Sequence, residues 1–207
     1  MPKHEECSND AVERRSRQAL PRWPPYSLSE DQARLYRRIT MGPRGREPRV
    51  FEIVAEDGAL LGPFRAMLVN PELGLRLEAL GRYLRFQSRI SPAAREVAIL
   101  AIAYRWRSKY ETYAHAACAR AVGLSQISID AVLSGDKVVS GTGEESAAYD
   151  LVKSLMQFED VSDELYARTV ERLGLNGCAE VVALIGYYSA LAALEKVFGT
   201  YLPEKSD

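Results

Sequence analysis

The chain has 207 residues, with 27 Lys or Arg, 28 Asp or Glu and a formal net charge of -1. This length suits one globular domain with a substantial core, and the near-neutral charge excludes the broad basic surface of a nucleic-acid-binding protein. Three widely spaced cysteines argue against a disulfide framework. Because neither a secretory signal nor a run of eighteen apolar residues is present, we expect a cytoplasmic protein that does not act at a membrane.

The N-terminal segment is predicted to differ from the rest of the chain. Residues 1–25 are polar and end in Leu20-Pro21-Arg22-Trp23-Pro24-Pro25, whose three prolines fix φ and remove backbone donors. We therefore expect an extended or disordered arm over 1–25 and one helical domain over 26–207. A solvated tail is the favoured state of the arm, and contact with the body is the alternative.

Two elements are predicted between the arm and residue 63. Ser29 followed by Gln32 is a capping-box pattern, and Leu35 and Ile39 give the helix that it opens an apolar inner face. Residues 49–62 contain short apolar runs on either side of an Asp-Gly pair. That pattern fits a small β-hairpin and an ordered loop about equally well.

From residue 63 onward the pattern is helical almost throughout. Asn70-Pro71 and Ser91-Pro92 each combine a side-chain cap with a proline in the first turn, so two capped helices are predicted in succession. The second carries the apolar residues between Val97 and Ala103. The predicted inner face of the first is formed by Leu73, Leu77, Leu80 and Leu84.

Glycines and serines predict the later helix boundaries. One helix should end at Gly123, and a short one should lie between Ser125 and Gly135. A further helix has an apolar face formed by Ala147, Leu151, Leu155 and Phe158. Another runs from Ser162 to Gly174, and the last is apolar on most sides and should be central or lie in a subunit interface. Seven or eight helices with scarcely any strand indicate an all-α, single-domain helical bundle.

The chemistry is predicted to lie on the helix that contains Ser108-Lys109-Tyr110-Glu111-Thr112-Tyr113-Ala114-His115. Glu111 and His115 are four residues apart, so their side chains project from one face of the helix into the same space. Burial raises the pKa of a glutamate, and a neighbouring carboxylate raises the pKa of a histidine. Such a pair can exchange protons near neutral pH, as general acid–base catalysis requires.

Each of these residues also has a structural interpretation. Ser108 and Glu111 form a capping-box pattern in which the carboxylate would bond back to the Ser108 amide, and a lone histidine can be a hydrogen-bonded core residue. Cys118, one turn after His115, is either an activated thiolate or a small buried hydrophobic residue. A site formed by Glu96, Glu111 and His115 matches zinc or iron ligand sets poorly, so no metal is expected.

Other side chains could bind a ligand that carries a carboxylate by supplying guanidinium or hydroxyl groups. They are Arg105, Arg107, Tyr187 and Tyr188. Aromatic residues at helical spacing are otherwise packing residues. The sequence contains no glycine-rich phosphate loop, dinucleotide fingerprint or Gly-x-Ser-x-Gly elbow.

From about residue 63 to residue 202 the sequence resembles the carboxymuconolactone decarboxylase and alkylhydroperoxidase D-like superfamily. The segments that carry the resemblance are Ser91-Pro92-Ala93-Ala94-Arg95-Glu96-Val97-Ala98-Ile99-Leu100, Tyr110-Glu111 through His115, Ala121-Val122-Gly123-Leu124-Ser125 and Gly186-Tyr187-Tyr188. The resemblance implies an all-helical fold that assembles as a homo-oligomer, a trimer or a hexamer.

The two branches of the superfamily differ in their functional residues. The peroxidase branch has a glutamate, a Cys-x-x-Cys pair and a histidine, and the matching positions here are Glu96, Ser108, Glu111 and His115. Because both cysteines of that motif are absent, disulfide cycling is not expected from it. The decarboxylase branch needs no cofactor and has a glutamate four residues before its histidine. The sequence looks closer to the decarboxylase-like subgroup in which Tyr-Glu precedes the histidine.

The resemblance therefore implies a cofactor-free enzyme for decarboxylation, lactone isomerisation or a related proton transfer on a small oxygenated carboxylic acid or lactone. Glu111 and His115 would act as base and proton donor, Glu96 would orient His115 or relay its proton, and an arginine would hold a carboxylate. The alternatives are an alkylhydroperoxidase-like thiol activity through Cys118 and a non-catalytic oligomer that binds a small ligand.

Overall fold

The computed structural model describes residues 20–46, 50–137, 143–199 and 201–203. Within these ranges the protein consists of eight α-helices and contains no β-strand, so the predicted all-α class is confirmed. The helices are α1 (Glu30–Thr40), α2 (Gly62–Met67), α3 (Pro71–Phe86), α4 (Pro92–Trp106), α5 (Lys109–Ala121), α6 (Gln126–Ser134), α7 (Gly143–Met156) and α8 (Asp163–Phe198). Two short 3-10 turns, Pro25–Ser27 and Pro43–Gly45, lie before and after α1.

The helices begin at the predicted capping residues. The Ser29 hydroxyl accepts a hydrogen bond from the Gln32 amide, and the Gln32 side chain accepts one from the Ser29 amide, so the predicted capping box is present. Further side-chain caps are Asn70 for α3, Ser91 for α4, Ser125 for α6 and Ser162 for α8. Each satisfies a backbone N–H that has no partner within the first helical turn, which is why short polar residues mark these boundaries.

Two glycines end or bend the later helices. Gly135 ends α6 in the left-handed conformation, with φ of 83°. Gly174, with φ of 67° and ψ of 170°, interrupts α8. Because glycine has no Cβ, it adopts these conformations at little steric cost. The helix end predicted at Gly174 is therefore a bend between two segments of α8.

The core is centred on α4, which packs against α5, α6, α7 and α8. Every residue of α4 from Glu96 to Ala103 is buried. Helix α8 packs against α2, α3, α4 and α7, and it buries Val181, Leu184 and Leu191. The last helix is thus central, which was one of the two predicted positions.

In the described part of the chain, α8 is also the one helix long and apolar enough to cross a membrane, with a mean hydropathy of 1.6 over its apolar window. That window is 44% buried inside the bundle. A core helix of a globular protein has the same length and composition, so these features are weak support for a membrane span. The cytoplasmic location stays a prediction.

The predicted inner face of α3 is correct at Leu84, is half-buried at Leu77 and is wrong at its other two leucines. Leu73 and Leu80 are 51% and 41% exposed, and the buried positions are Gly74, Glu78, Gly81 and Leu84. A Cβ on Gly81 would lie 2.0 Å from the Tyr187 hydroxyl. Helix α3 therefore approaches its neighbours through glycines, and two of its leucines point outward because the inner face has no room for them.

Two further predictions are decided by the structure. Residues 50–61 form an ordered loop, and the predicted hairpin is reduced to a single antiparallel bridge within it, between Val54 and Leu60. Phe158 was placed wrongly on the inner face of α7. The helix ends at Met156, and Phe158 is 95% exposed.

The last residues of the predicted N-terminal arm lie against the helical body. The Leu20 amide donates to the Tyr201 hydroxyl over 3.1 Å, and the Arg65 guanidinium donates to the carbonyls of Leu20 and Pro21. Residues 1–19 lie outside the described ranges. The proposed division of the chain into an arm and a domain therefore stays a prediction.

Candidate active site

Helices α4 and α5 bring Glu96, Glu111 and His115 together. Nδ1 of His115 lies 2.6 Å from Oε2 of Glu96, and Nε2 of the same ring lies 3.4 Å from Oε2 of Glu111. All three residues are at most 3% exposed. The imidazole is thus held between two carboxylates and shielded from solvent.

Ser108 caps α5 without engaging the Glu111 carboxylate. Its hydroxyl accepts a hydrogen bond from the Glu111 amide over 3.1 Å and donates one to Oε2 of Glu195 over 2.9 Å. The Ser108 amide donates to the Ala103 carbonyl instead. The predicted capping box is therefore incomplete, because the Glu111 carboxylate does not accept a hydrogen bond from the Ser108 amide. Oε1 of Glu111 is buried and has no hydrogen-bond partner among the described residues.

The charges around His115 favour its protonated form. Burial lowers the pKa of His115, but the Glu96 and Glu111 carboxylates outweigh burial, and the pKa is raised from 6.5. Burial likewise raises the pKa of Glu96, but His115, Arg85 and Arg95 outweigh it, and the pKa is lowered from 4.5. Glu96 is therefore ionised, and His115 keeps its proton to a higher pH than a free imidazole does.

A cavity of about 20 Å³ lies beside the two predicted acid–base residues. The lining residues with polar atoms in their side chains are Arg44, Arg85, Tyr110, Glu111, His115, Tyr187 and Tyr188. This volume holds about one water molecule, so an organic substrate must displace part of the wall. Arg44 and Phe51 belong to the segment between α1 and α2, which is the least regular part of that wall.

Tyr187 and Tyr188, both predicted to bind a ligand, line the cavity from α8. The Tyr188 ring meets the His115 ring edge to face, with centroids 5.0 Å apart. Burial raises the pKa of Tyr187 to about 12 and raises the pKa of Tyr188 well above 10. Both hydroxyls therefore keep their protons at neutral pH and can donate hydrogen bonds to an oxygen atom in the cavity.

The structure does not bring the two predicted arginines to this cavity. Nε of Arg105 donates to the Met156 carbonyl over 3.2 Å, and Arg107 is an exposed residue in the left-handed conformation at the end of α4. The arginines at the cavity are Arg44 and Arg85. Sequence reasoning missed both, because Arg44 lies outside the α-helices and the inner face of α3 was misplaced. The spacing of the glycines on α3 was the sequence feature from which an inward-facing Arg85 could have been predicted.

Cys118 lies one turn after His115, and its Sγ accepts a hydrogen bond from Nη2 of Arg85 over 3.0 Å. Burial raises the pKa of the Cys118 thiol, and Arg85 offsets burial only in part. The structure therefore supports a small buried thiol rather than the thiolate that a peroxidase needs.

The ligand atoms of Glu96, His115 and Cys118 lie within 4.8 Å of one another. The Glu96 oxygen is at hydrogen-bond distance from the His115 ring, 2.6 Å, whereas two ligand atoms on a tetrahedral zinc lie roughly 3.3 Å apart. This group is therefore arranged as a hydrogen-bonded network rather than as a ligand set.

Residues 71–154 match the Carboxymuconolactone decarboxylase family. The predicted resemblance to this superfamily is confirmed. A crystal structure described as an alkylhydroperoxidase AhpD core, an uncharacterized peroxidase-related protein from Ralstonia eutropha JMP134, has a TM-score of 0.68 to this chain at 14% sequence identity. The similarity covers 88% of this chain and 90% of that one. At this identity it shows the fold alone. No curated protein matches the sequence.

The family match does not extend over the whole cavity. It contains Glu111 and His115 but ends before Tyr187 and Tyr188, and it begins after Arg44. Glu111 and His115 are thus within the family match, whereas Arg44, Tyr187 and Tyr188 lie outside it.

Proposed function

We propose that the protein is a cofactor-free, decarboxylase-like enzyme of this superfamily. It would perform decarboxylation, lactone isomerisation or a related proton transfer on a small oxygenated carboxylic acid or lactone. The main support is Oε1 of Glu111, a buried and unpaired carboxylate oxygen on a residue that lines the same cavity as His115. Because an unpaired buried acceptor is costly, a proton taken from a bound molecule accounts for its presence.

The three predicted catalytic residues receive different roles. In an isomerisation, Glu111 removes a proton from carbon and the His115 imidazolium returns one elsewhere. In a decarboxylation, the bond to the carboxylate carbon breaks, its electron pair moves into the adjacent unsaturated system, and a proton from His115 ends on carbon. Glu96 does not line the cavity, so it is a positioning residue that keeps the imidazole oriented and charged.

A thiol peroxidase is not favoured. The positions of the two peroxidase cysteines are occupied by Ser108 and Glu111, neither of which can form a disulfide. The thiol pKa of Cys118 is raised. Neither Cys118 nor Cys178 forms a disulfide. Transfer of two electrons by disulfide formation needs a second thiol next to the first.

The test is proton exchange and turnover on a panel of small carboxylic acids and lactones that includes 4-carboxymuconolactone. Proton NMR in D₂O would follow both CO₂ loss and solvent exchange at carbon. We expect the Glu111→Gln and His115→Gln variants to lose roughly 10²- to 10⁴-fold in rate, the usual contribution of a general acid or base.

The matched control is Glu72→Gln, which changes a carboxylate that is 74% exposed on α3 and should leave the rate unchanged. Folded Glu111→Gln and His115→Gln variants that retain full activity would refute the assignment. A wild-type protein that binds panel members but turns none over would instead indicate a non-catalytic binder.

A further inference from the structure

Arg44 is a buried cation in the wall of the same cavity. Its side chain is 7% exposed, and it reaches the cavity from the 3-10 turn Pro43–Gly45. The guanidinium carbon lies 5.2 Å from the Phe64 ring centroid and 6.0 Å from that of Phe86. Nη1 is buried with no hydrogen-bond partner in the described part of the chain. A buried guanidinium donor without an acceptor is costly.

Among the described residues, the carboxylate paired with Arg44 lies too far away to accept a hydrogen bond from it. Oε1 of Glu78 lies 3.8 Å from Nη1 of Arg44, beyond hydrogen-bond distance, and Glu78 also pairs with Arg38 and Arg82. The side chains of Arg38 and Arg82 are 51% and 31% exposed, so each reaches solvent, although Nε of Arg82 is buried without a partner among the described residues. The Arg44 side chain is buried, and within the described ranges one carboxylate shared by three guanidinium groups leaves a positive excess beside the cavity.

Arg85 adds a second cation to the wall. Burial lowers the pKa of Arg85, but Cys118, Tyr188 and Glu96 outweigh burial and raise it, so the group is charged. The Cys118 thiol, which accepts its hydrogen bond, is neutral. If His115 and Glu96 are counted as one neutral ion pair, the described lining of the cavity has two arginines and a single carboxylate, Glu111. One negative charge on a bound molecule would balance the cavity.

We infer that Arg44, with Arg85, forms an anion-binding subsite opposite Glu111 and His115, and that the ligand is a small monocarboxylate rather than an uncharged lactone. This inference rests on the proposed function, since it states which end of the substrate binds the arginines and which end faces the acid–base residues. The carboxylate of the ligand would accept hydrogen bonds from the arginines, and the reacting carbon of the ligand would face Glu111. A guanidinium is suited to this role, because its planar donors match the two oxygens of a carboxylate.

The test uses formate and formamide, two probes of equal heavy-atom count that differ in charge. Ligand-observed NMR at constant ionic strength would give the dissociation constant of each probe for the full chain. We expect the wild type to bind formate at least about tenfold more tightly than formamide. Arg44→Met should weaken formate binding roughly 10- to 100-fold, the value of a charge-assisted hydrogen bond, and should leave formamide binding unchanged.

Arg38→Met is the matched control, because it removes another arginine from Glu78 without changing the cavity wall. It should change formate binding less than twofold. If Arg44→Met does not fold, Arg44→Gln removes the same charge and carries the same expectation. Equal binding of the two probes by the wild type, or unchanged formate binding in a folded Arg44 variant, overturns the inference, as does an equal loss in Arg38→Met.

The exchange assay on the same proteins separates the two proposals. Exchange that depends on Glu111, in a wild type without any preference for formate, would overturn the anion subsite alone. Formate preference that depends on Arg44, in a protein that exchanges no proton on any panel member, would overturn the proposed enzyme alone.

Discussion

Replacing Glu96 by glutamine tests whether the buried pair with His115 carries charge. The substitution preserves the shape of the side chain and one acceptor oxygen but removes the negative charge 2.6 Å from Nδ1. A hydrogen bond to a charged group contributes about 1.5–3 kcal/mol to the free energy of unfolding. Leaving a buried charge without its partner costs about 3–5 kcal/mol. We expect the lower range here, because the imidazole in the variant can release its proton.

The two pKa shifts determine how this loss depends on pH. The pKa of His115 is raised in the folded state, so its contribution is complete below the unfolded value of 6.5 and disappears as the pH rises through the folded pKa. The pKa of Glu96 is lowered, so its contribution is complete above the unfolded value of 4.5 and disappears as the pH falls through the folded pKa. The stability difference should therefore be largest between these two values. On the alkaline side it should decline by at most about 1.4 kcal/mol per pH unit.

The assay is urea unfolding followed by circular dichroism from pH 4 to 9, at one fixed protein concentration because assembly would otherwise shift the midpoint. At pH 5.5 we expect Glu96→Gln to lower the free energy of unfolding by about 1.5–3 kcal/mol. The corresponding drop in Tm is about 3–12 °C for a domain of this size. Glu72→Gln should show neither effect. A stability difference that is constant over the pH range, or larger at pH 8 than at pH 5.5, would refute the charged pair.

Three shorter predictions concern backbone strain, the thiol and assembly. Gly62→Ala should lower the free energy of unfolding by about 1–3 kcal/mol in thermal denaturation, since φ is 55° and the new Cβ would lie 2.5 Å from the Tyr110 ring; Gly186→Ala, with no atom within 4 Å, should not destabilise. The Cys118→Ser variant should keep the turnover of the wild type. Iodoacetamide should modify the Cys118 thiol of the folded wild type at least about tenfold more slowly than the same thiol in the unfolded chain. We expect the predicted homo-oligomer to use the apolar outer face of α3, so Leu80→Lys should reduce the mass in light scattering to that of one chain; an unchanged mass would place the interface elsewhere.

The helix starts could be predicted from the sequence because capping is local chemistry. Ser29, Asn70 and Ser91 each lie three residues from the amide that they bind, so neighbouring residues suffice to identify the boundary. The inner face of α3 could not be predicted in this way. Its buried positions include Gly74 and Gly81, where other residues pack so closely that a larger side chain does not fit. A prediction from hydrophobicity alone places the leucines on the buried face instead.

The same distinction explains which site residues were predicted. Glu111 and His115 lie four residues apart on one helix, so helical geometry brings them together. Glu96 is nineteen residues from His115, so no local spacing places it there, and its orienting role was expected from the superfamily resemblance. Arg44 and Arg85 reach the cavity from other parts of the fold, and no local spacing relates either to His115.

The position of the cavity gives the two carboxylates different tasks. Glu111 lines the cavity and Glu96 does not, although both lie beside one imidazole. A carboxylate that never meets the ligand can keep its charge throughout a reaction, whereas one in the wall must gain and lose a proton if it acts as the base. Glu96 should therefore set the pH range in which His115 is charged, and Glu111 should set the rate. Removal of Glu96 would then move the pH profile of turnover to lower pH, because the imidazolium would lose its proton earlier. Removal of Glu111, whose carboxylate also raises the pKa of His115, would in addition lower the rate at every pH.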